Sequence, residues 1–332
     1  IKHRGPDNQN YINFENLSLG SCRLSIFDLS SKGNMPMKDK SGRYTIVYNG
    51  EIYNFKRLKK QFNLQTKTNT DTEVLLELYS IKKEKCLDYL NGIFSFVIYD
   101  NKENSFFCAR DHVGVKPFYY IKNDKDFIVS SEIKGLYKIF ENNFNINKIK
   151  SYLTTSFYDY GEKTFYKDIY QLQPGHFIKY FPKKNQFEIR RYWDLKDNLN
   201  NLSQEISENE LIDKAYELIE NSFNIQCQAD VKIGLNVSSG IDSKLMMYFV
   251  DKINKGQNDI SSNSYFFDEK EFNEKHDLEK ISNKVDWKVN FYKITSEDII
   301  KNFDEVFYSQ EGPFPGIPTI AKSILIKKAY GP

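Results

Sequence analysis

The sequence has few cysteines, few histidines and no long hydrophobic run. Its 332 residues include 4 cysteines and 4 histidines. The cysteines stand far apart and form no Cys-x-x-Cys pair, which is typical of reduced thiols and predicts a cytoplasmic protein. The histidines show no metal-ligand spacing. The cysteines are Cys22, Cys86, Cys108 and Cys227.

The sequence also lacks an excess of charge of one sign. Its 47 lysines and arginines are nearly balanced by 45 acidic residues, for a formal net charge of +2. A surface devoted to nucleic acid would be more basic, so we expect no nucleic-acid partner. No apolar segment approaches transmembrane length and no signal peptide is recognised, so we also expect no membrane partner.

The chain is long enough for two domains. Residues 1–193 are rich in short, aromatic, strand-like segments, whereas residues 194–207 are polar and rich in asparagine. From residue 208 onward, helix and strand patterns alternate. We therefore predict a first domain over 1–193, a linker over 194–207 and a second domain over 208–332.

Closely spaced strands are predicted in the first domain. Arg43–Asn49 alternates apolar and polar residues, and Asn49-Gly50 predicts a turn at its end. Thr70 and Glu73 have the spacing of a capping box at the start of a helix. Such close spacing of strands favours an antiparallel sheet. Further strands are predicted over residues 93–99, 105–109, 117–121 and 126–130.

The second domain contains the pattern of a strand, a small polar loop and a helix. Val231–Val237 alternates as a strand does, Ser238–Ser243 forms the loop, and an apolar run follows from Lys244. Small residues before a helix let backbone N–H groups approach an anion. Asp242 would repel phosphate unless a cation lies between them, so Mg²⁺-pyrophosphate suits this loop. An ordinary helix cap is the alternative interpretation.

Strands and helices alternate through the rest of the second domain. Leu211–Phe223 has the pattern of an amphipathic helix. The order of elements predicts a parallel α/β sheet. Strands are predicted over residues 264–267 and 287–292, and helices over residues 274–284 and 319–329.

Seven motifs in the first half stand in the order found in one enzyme family. They are His3–Asp7, Arg23–Asp28, Tyr48–Asn54, Thr70–Glu73, Leu90–Phe96, Ala109–Tyr120 and Ser130–Leu136. Together they resemble the glutaminase domain of glutamine-hydrolysing asparagine synthetases, and Val231–Ser243 resembles the ATP-pyrophosphatase loop of the same enzymes. The resemblance implies an N-terminal four-layer αββα antiparallel sandwich, similar to Ntn hydrolases, followed by an open parallel α/β ATP-pyrophosphatase domain.

The resemblance also implies roles for individual residues of the first domain. Arg23 would pair with the α-carboxylate of glutamine, and Glu51 and Asp71 would face its α-ammonium group. Asn49 and Gly50 would form the oxyanion hole and would therefore be catalytic. Considered singly, Arg23 would be a solvated charge at a sheet edge, Asp71 a helix cap, and Asn49-Gly50 a hairpin turn.

The nucleophile of this family is a cysteine at the mature N-terminus, whose own amino group acts as the base. Because the given sequence begins at Ile1, we expect this cysteine either to lie upstream of it, outside the given sequence, or to be absent from the protein. Cys22 stands in a strand-like run beside Arg23, so we interpret it as a packed thiol rather than a substitute nucleophile.

The second domain would bind ATP and Mg²⁺ by the same resemblance. Ser239 replaces the usual first glycine of the loop, and Asn273 replaces an aspartate in the segment 271–274. A further motif of the family, Ser-Gly-x-Gly-x-Asp-Glu, would follow Pro332, so we expect the sequence to be a fragment at both ends. Tyr265 would lie near the base or ribose, with core packing as the equal alternative. The implied ATP contacts are Val237, Ser238, Ser239, Gly240, Asp242 and Ser243, with Mg²⁺ at Asp242.

The implied reaction is that of an asparagine synthase. Glutamine hydrolysis would supply ammonia to an aspartyl-adenylate made from aspartate and ATP, giving asparagine, glutamate, AMP and pyrophosphate. The resemblance leaves room for a homodimer. Two alternatives remain: a related amidotransferase that acts on another carboxylate, such as a polysaccharide sugar acid or a β-lactam precursor, and a non-catalytic relic.

Overall fold

A computed structural model describes residues 1–137, 143–199, 206–254, 260–269, 271, 273–284 and 287–331. The chain divides into two units, Ile1–Glu205 and Ile206–Pro332. Residues 200–205 of the predicted linker lie outside the described residues, and the segment before them contains the short helix α5, Leu195–Leu199. No helix in the described ranges is both long and apolar enough to cross a bilayer.

The strands of the first unit form three antiparallel sheets. A six-stranded sheet has the order β11-β10-β6-β5-β4-β3, and two smaller sheets have the orders β1-β2 and β8-β7-β9. The strands are β1 Asn8–Asn13, β2 Ser18–Arg23, β3 Met37–Lys38, β4 Tyr44–Ile52, β5 Gly92–Asp100, β6 Ser105–Arg110, β7 Tyr119–Lys122, β8 Phe127–Ser130, β9 Tyr170–Gln171, β10 His176–Phe181 and β11 Gln186–Arg191.

Alternation along the strands gives the six-stranded sheet two apolar faces. One face packs against α1 (Phe55–Gln61) and α2 (Asp71–Lys82), with Ile46, Phe96 and Leu75 among the buried residues. The other face packs against the smaller sheets through a second core that includes Val97, Leu19 and Tyr120. The six-stranded sheet is therefore covered by helices on one side and by the smaller sheets on the other.

A thin helical layer covers the outer side of the small sheet β8-β7-β9. Helix α3 (Lys134–Tyr137) buries Leu136 against Ile121 of β7 and Ile169, and α4 (Ile146–Thr155) follows it in the chain. The layers are thus helix, sheet, sheet and helix, which confirms the predicted αββα sandwich.

Two local predictions for this unit are wrong. The strand β4 continues through Asn49-Gly50 to Ile52, because β5 pairs with it over its whole length and leaves no room for a turn. Thr70 Oγ1 accepts a hydrogen bond from Glu73 N at 3.2 Å, as a cap does. However, the Glu73 carboxylate accepts hydrogen bonds from Thr68 and Lys67 instead of closing the box on Thr70.

The second unit contains a three-stranded parallel sheet in the order β12-β13-β14, flanked by helices. One core lies between this sheet and α7 and α8, and another lies beside α9 and α10. This arrangement confirms the predicted parallel α/β class. The elements are α6 Glu208–Gln226, β12 Gly234–Asn236, α7 Ile241–Asn254, β13 Ser261–Phe266, α8 Lys275–Lys284, β14 Val289–Lys293, α9 Ser296–Gln310 and α10 Ile317–Tyr330.

The first strand of this sheet is shorter than predicted. It begins at Gly234 instead of Val231, because its pairing with β13 starts only where Gly234 meets Ser261. Val231 is consequently 40% exposed. The helix α9 is absent from the sequence-based assignment, although Thr295 and Asp298 form a complete capping box at its start.

Candidate functional site

A cavity of about 420 Å³ lies in the first unit between the six-stranded sheet and the two smaller sheets. Its walls include residues of β4, β5, the edge of β2 and the end of β8. All five residues that the sequence assigns to glutamine binding line this cavity: Arg23, Asn49, Gly50, Glu51 and Asp71. The fold therefore brings together residues that are up to 48 positions apart in sequence.

Two buried polar atoms of the cavity have no hydrogen-bond partner among the residues that the structure describes. They are Asn49 Nδ2, a donor, and Glu51 Oε2, an acceptor. Tyr48 and Ile52 of the same strand point into the helix-side core, so alternation places Asn49 and Glu51 on the cavity side. Buried polar groups are nearly always paired, and unpaired ones cost about 1–3 kcal/mol each. The two atoms are therefore suited to a ligand with one acceptor and one donor.

The backbone N–H of Gly50 is directed away from the neighbouring strand. Gly50 stands opposite Phe94, whose N–H and carbonyl both bond to Asp111 at 3.1 and 2.8 Å. Gly50 and Phe94 therefore form a pair without mutual hydrogen bonds, and the backbone groups of Gly50 face the other side of β4. A Cβ at Gly50 would overlap Ile93 O and Phe94 Cα, so only glycine fits here.

Asp71 stands at the first position of α2 and is held from three sides. Its Oδ2 accepts hydrogen bonds from Tyr48 OH and from Ile52 N, both at 2.8 Å. Its Oδ1 accepts a hydrogen bond from Thr72 N at 2.8 Å. The side chain is 5% exposed, so this carboxyl group is a buried part of the site and more than a helix cap.

Burial raises the proton affinity of both acidic groups of the cavity. Burial, followed by repulsion from Asp71, raises the pKa of Glu51 to about 8, against the attraction of Lys116. Burial likewise raises the pKa of Asp71, although its hydrogen bonds oppose the shift. Two buried carboxyl groups with raised pKa values gain from a bound cation, since a positive charge between them stabilises the ionised forms.

Arg23 is only 6% exposed, so it is a buried residue and not a solvated charge at a sheet edge. Its guanidinium group donates to the carbonyl oxygens of Phe27, Asp28 and Ser30 and to Asn34 Oδ1, at 2.5–3.0 Å. The contacts span the loop that follows β2. Arg23 therefore both lines the cavity and shapes its wall.

Two more cationic side chains line the cavity, and the sequence assignment includes neither. Arg4 Nη1 donates to Glu132 at 3.1 Å, so its charge is already countered. Lys116 is half-buried, and burial lowers the pKa of its ammonium group against the attraction of Glu51. In the sequence, Lys116 could have been noticed because it stands inside the motif Ala109–Tyr120. The motif alone, however, does not show where the Lys116 side chain points.

The four cysteines are free thiols in different surroundings. Cys86 and Cys108 are fully buried, and burial raises the pKa of each thiol. Burial also raises the pKa of Cys227 in the second unit. Cys22 is half-buried in β2 and lines the cavity.

In the second unit, the loop Ser238–Ser243 closes on itself. Ser243 Oγ accepts a hydrogen bond from Ser238 N at 3.0 Å and lies 2.9 Å from Ser238 Oγ. Ser239 N donates to Glu274 Oε2 at 2.9 Å. A carboxylate of the chain thus accepts a backbone N–H that such a loop would offer to an anion.

The remaining residues assigned to ATP lie in mixed surroundings. Asp242 is exposed in the first turn of α7, and no cluster of three or more metal-ligating residues is found in the described parts of the chain. A lone carboxylate fits Mg²⁺ where phosphates of the ligand supply further oxygen ligands. Gly240 is also exposed, whereas Val237 is 5% exposed in the core. Tyr265 packs against the α9–α10 core and Phe267, which favours a packing role.

Comparisons with known proteins match both units. Residues 1–193 match the glutamine amidotransferase domain family, and residues 214–329 match the asparagine synthase family. The chain belongs to the family of glutamine-hydrolysing asparagine synthetases. This confirms the resemblance inferred from the seven motifs.

Relatives within this family carry two kinds of name. A putative asparagine synthetase (glutamine-hydrolyzing) 2 of Methanocaldococcus jannaschii is 38% identical over 74% of this chain and 51% of its own length. Asparagine synthetase (glutamine-hydrolyzing) 2 of Bacillus subtilis is 35% identical over 75% of this chain and 34% of its own. Amidase chry2 of Gibberella zeae is 26% identical over 99% of this chain and 51% of its own. The chain thus spans about a third to a half of the length of these relatives.

Proposed function

We propose that this chain belongs to a glutamine-dependent carbon–nitrogen ligase that makes asparagine from aspartate, with ATP as the activating substrate. The first unit would release ammonia from glutamine, and the second would take part in activating the acceptor carboxylate. The observation that carries the proposal is the pair of unpaired buried atoms, Asn49 Nδ2 and Glu51 Oε2, in one cavity with the outward-facing Gly50 N–H.

These groups match the polar ends of glutamine. Glu51 and Asp71 would hold the α-ammonium group, because two buried carboxyl groups favour a cation. Asn49 Nδ2 and Gly50 N would donate to the side-chain carbonyl oxygen, which becomes an oxyanion when the amide carbon is attacked. Donors that are already aimed at this oxygen need no reorganisation during the reaction.

The nucleophile would be a cysteine that precedes Ile1 in the full-length protein, as the family resemblance implies. Its thiol would add to the amide carbon, the tetrahedral intermediate would expel ammonia, and water would hydrolyse the thioester to glutamate and free thiol. Cys86 and Cys108 are too deeply buried for this role. Replacing Cys22 with serine should leave glutamine hydrolysis intact.

In the second unit, the loop Ser238–Ser243 would bind the phosphates of ATP, with Mg²⁺ held by Asp242 and those phosphates. The ion would neutralise the charge of the pyrophosphate. The loop must exchange its internal hydrogen bonds for bonds to the phosphates, starting with the bond from Ser239 N to Glu274.

Product analysis of the full-length protein tests the proposal. With glutamine, ATP, Mg²⁺ and aspartate, we expect asparagine, glutamate, AMP and pyrophosphate in equal amounts. The alternative acceptor is favoured by the match to relatives named amidase and by Ser239 in place of glycine. Amide formation with another carboxylic acid, and none with aspartate, would establish that alternative and refute asparagine synthesis.

A further inference from the structure

One buried carboxylate beside the cavity contacts three basic side chains. Glu132 Oε1 lies 2.8 Å from His3 Nε2 and accepts a hydrogen bond from Arg4 Nη1 at 3.1 Å. Its Oε2 forms an ion pair with Lys134 Nζ at 3.1 Å. Burial raises the pKa of Glu132, but these three contacts outweigh it and hold the pKa below its usual range. Glu132 is therefore an ionised anchor that draws basic groups towards it.

The backbone around Glu132 is fixed directly behind the wall of the cavity. Ser130, the last residue of β8, and Ser131 line the cavity, whereas Glu132 is not among its lining residues. The Glu132 N–H donates to Ser130 Oγ at 3.2 Å, and its carbonyl accepts a hydrogen bond from Gly135 N at 3.2 Å. The carboxylate is thus supported by the junction between β8 and α3.

The segment held by this carboxylate begins at Ile1. Residues Lys2–Arg4 form a single 3₁₀ turn without a buried residue, so apolar packing does not fix the turn. Ile1 and Arg4 nevertheless line the cavity. The contacts from Glu132 to His3 and Arg4 are what fasten the turn to the wall.

The other end of the segment is fixed by packing against β2. A Cβ at Gly5 would overlap the backbone of Cys22 and the nitrogen of Arg23, so Gly5 lies directly on the strand. The turn is therefore held on one side by β2 and on the other by Glu132. Without the carboxylate, only the β2 side of this attachment would remain.

We propose that Glu132 is a positioning residue for glutamine hydrolysis, which fixes the segment Ile1–Arg4 against the cavity. The inference rests on the proposed function, in which a nucleophilic cysteine precedes Ile1. The segment would then set the distance from that thiol to the amide carbon of glutamine held by Asn49 and Gly50. A displacement of about 1 Å in a reacting group can lower the rate about 100-fold.

Two variants of the full-length protein isolate the carboxylate. Glu132→Gln alone would leave the nearly buried Lys134 beside a neutral group. The double variant Glu132→Gln/Lys134→Met avoids this unpaired charge, and Lys134→Met is its reference, since it keeps both contacts to the segment. Glu15→Gln, at an exposed glutamate outside the cavity, should behave as wild type.

Steady-state glutamine hydrolysis gives the first measurement. Relative to Lys134→Met, the double variant should have a kcat about 10- to 100-fold lower. Its KM for glutamine should change less than about threefold, because Asn49, Glu51 and Asp71 keep their places. An unchanged kcat would overturn the proposal.

Hydrogen exchange gives a second measurement that does not depend on activity. The amides of Arg4 and Gly5 donate to Ile1 O and Lys2 O within the turn, and they should exchange faster in the double variant. The amides of β4 should exchange as in Lys134→Met. Faster exchange in β4, together with a higher KM, would show a general structural role and would also overturn the proposal. If the wild-type protein hydrolysed no glutamine, the proposed function itself would fail, which is a different result.

Discussion

The cavity of the first unit and the loop Ser238–Ser243 of the second are both polar, but they differ in how many polar groups are already paired. In the cavity, Asn49 Nδ2 and Glu51 Oε2 have no hydrogen-bond partner in the described part of the chain. In the loop, the hydroxyl of Ser243 bonds to Ser238, and Ser239 N bonds to Glu274. The cavity is therefore arranged for its ligand in advance, whereas the loop must break internal bonds to bind one.

The difference has a physical cause in burial. The cavity lies between the six-stranded sheet and the two smaller sheets, where strand pairing fixes the backbone of Asn49 and Glu51 and an unpaired group cannot turn to water. The loop is mostly exposed, and only Ser239 and Ser243 are half-buried. Substitutions in the cavity should therefore have larger effects than substitutions in the loop.

The largest effect is expected from Gly50→Ala. The added methyl group would overlap Ile93 O and Phe94 Cα, both backbone atoms that cannot move aside. We expect loss of glutamine hydrolysis and a decrease in the free energy of unfolding of about 1–3 kcal/mol, measured by urea denaturation. Gly20→Ala in β2, where the nearest atom to the new Cβ is at 3.8 Å, is the stability control. Equal stability of the two variants would contradict the packing argument.

The second-largest effect is expected for Glu51, in the pH dependence of glutamine binding. Since the pKa of Glu51 is raised to about 8, the carboxyl group is mostly protonated at neutral pH in the free protein. Glutamine binding should therefore strengthen as pH rises from 6 towards 8, because the ionised carboxylate holds the ammonium group. Glu51→Gln should bind glutamine about 10- to 100-fold more weakly and lose this pH dependence. If the affinity of the wild-type protein for glutamine did not change between pH 6 and 8, ionisation of Glu51 would not be coupled to glutamine binding.

The raised pKa of Glu51 also predicts how the stability of the ligand-free protein depends on pH. The pKa of Glu51 is about 8 in the folded protein and near 4.5 in the unfolded chain. The protonated group therefore contributes its full stabilisation at pH values below 4.5, and this contribution is lost as the pH rises through about 8. Glu51→Gln should therefore raise the melting temperature relative to wild type most strongly above pH 8, and little below pH 4.5. A difference that is the same at all pH values would contradict the raised pKa.

The smallest effect is expected at Glu274. Glu274→Gln keeps an acceptor for Ser239 N but removes a negative charge from the loop. The affinity for pyrophosphate in the presence of Mg²⁺ should rise two- to fivefold, the scale of an exposed charge interaction. Glu279→Gln, inside the helix α8 that follows Glu274, should leave the affinity unchanged. Weaker pyrophosphate binding in Glu274→Gln would show that the carboxylate supports the ligand instead of competing with it.

The family resemblance predicted the layers of both units and the residues that meet in the cavity. Sequence patterns alone predicted only the antiparallel and the parallel sheet. They failed where pairing between strands overrides a local signal: Asn49-Gly50 favours a turn, but nine consecutive partners in β5 keep it extended. They could not predict the contacts of Arg23, since these depend on a loop that returns to the arginine from the other side. Lys116 was also missed, because the direction of a side chain in an irregular loop is set by tertiary hydrogen bonds.

The most direct test of the two-site account compares Asn49→Ala and Asp242→Ala in the full-length protein, with both activities measured on each. Asn49→Ala should lower the rate of glutamine hydrolysis by about 10²- to 10³-fold and leave ATP–pyrophosphate exchange unchanged. Asp242→Ala should abolish the exchange and spare the hydrolysis. If either variant lost both activities while remaining folded, the assignment of glutamine chemistry to the cavity and ATP chemistry to the loop would be contradicted.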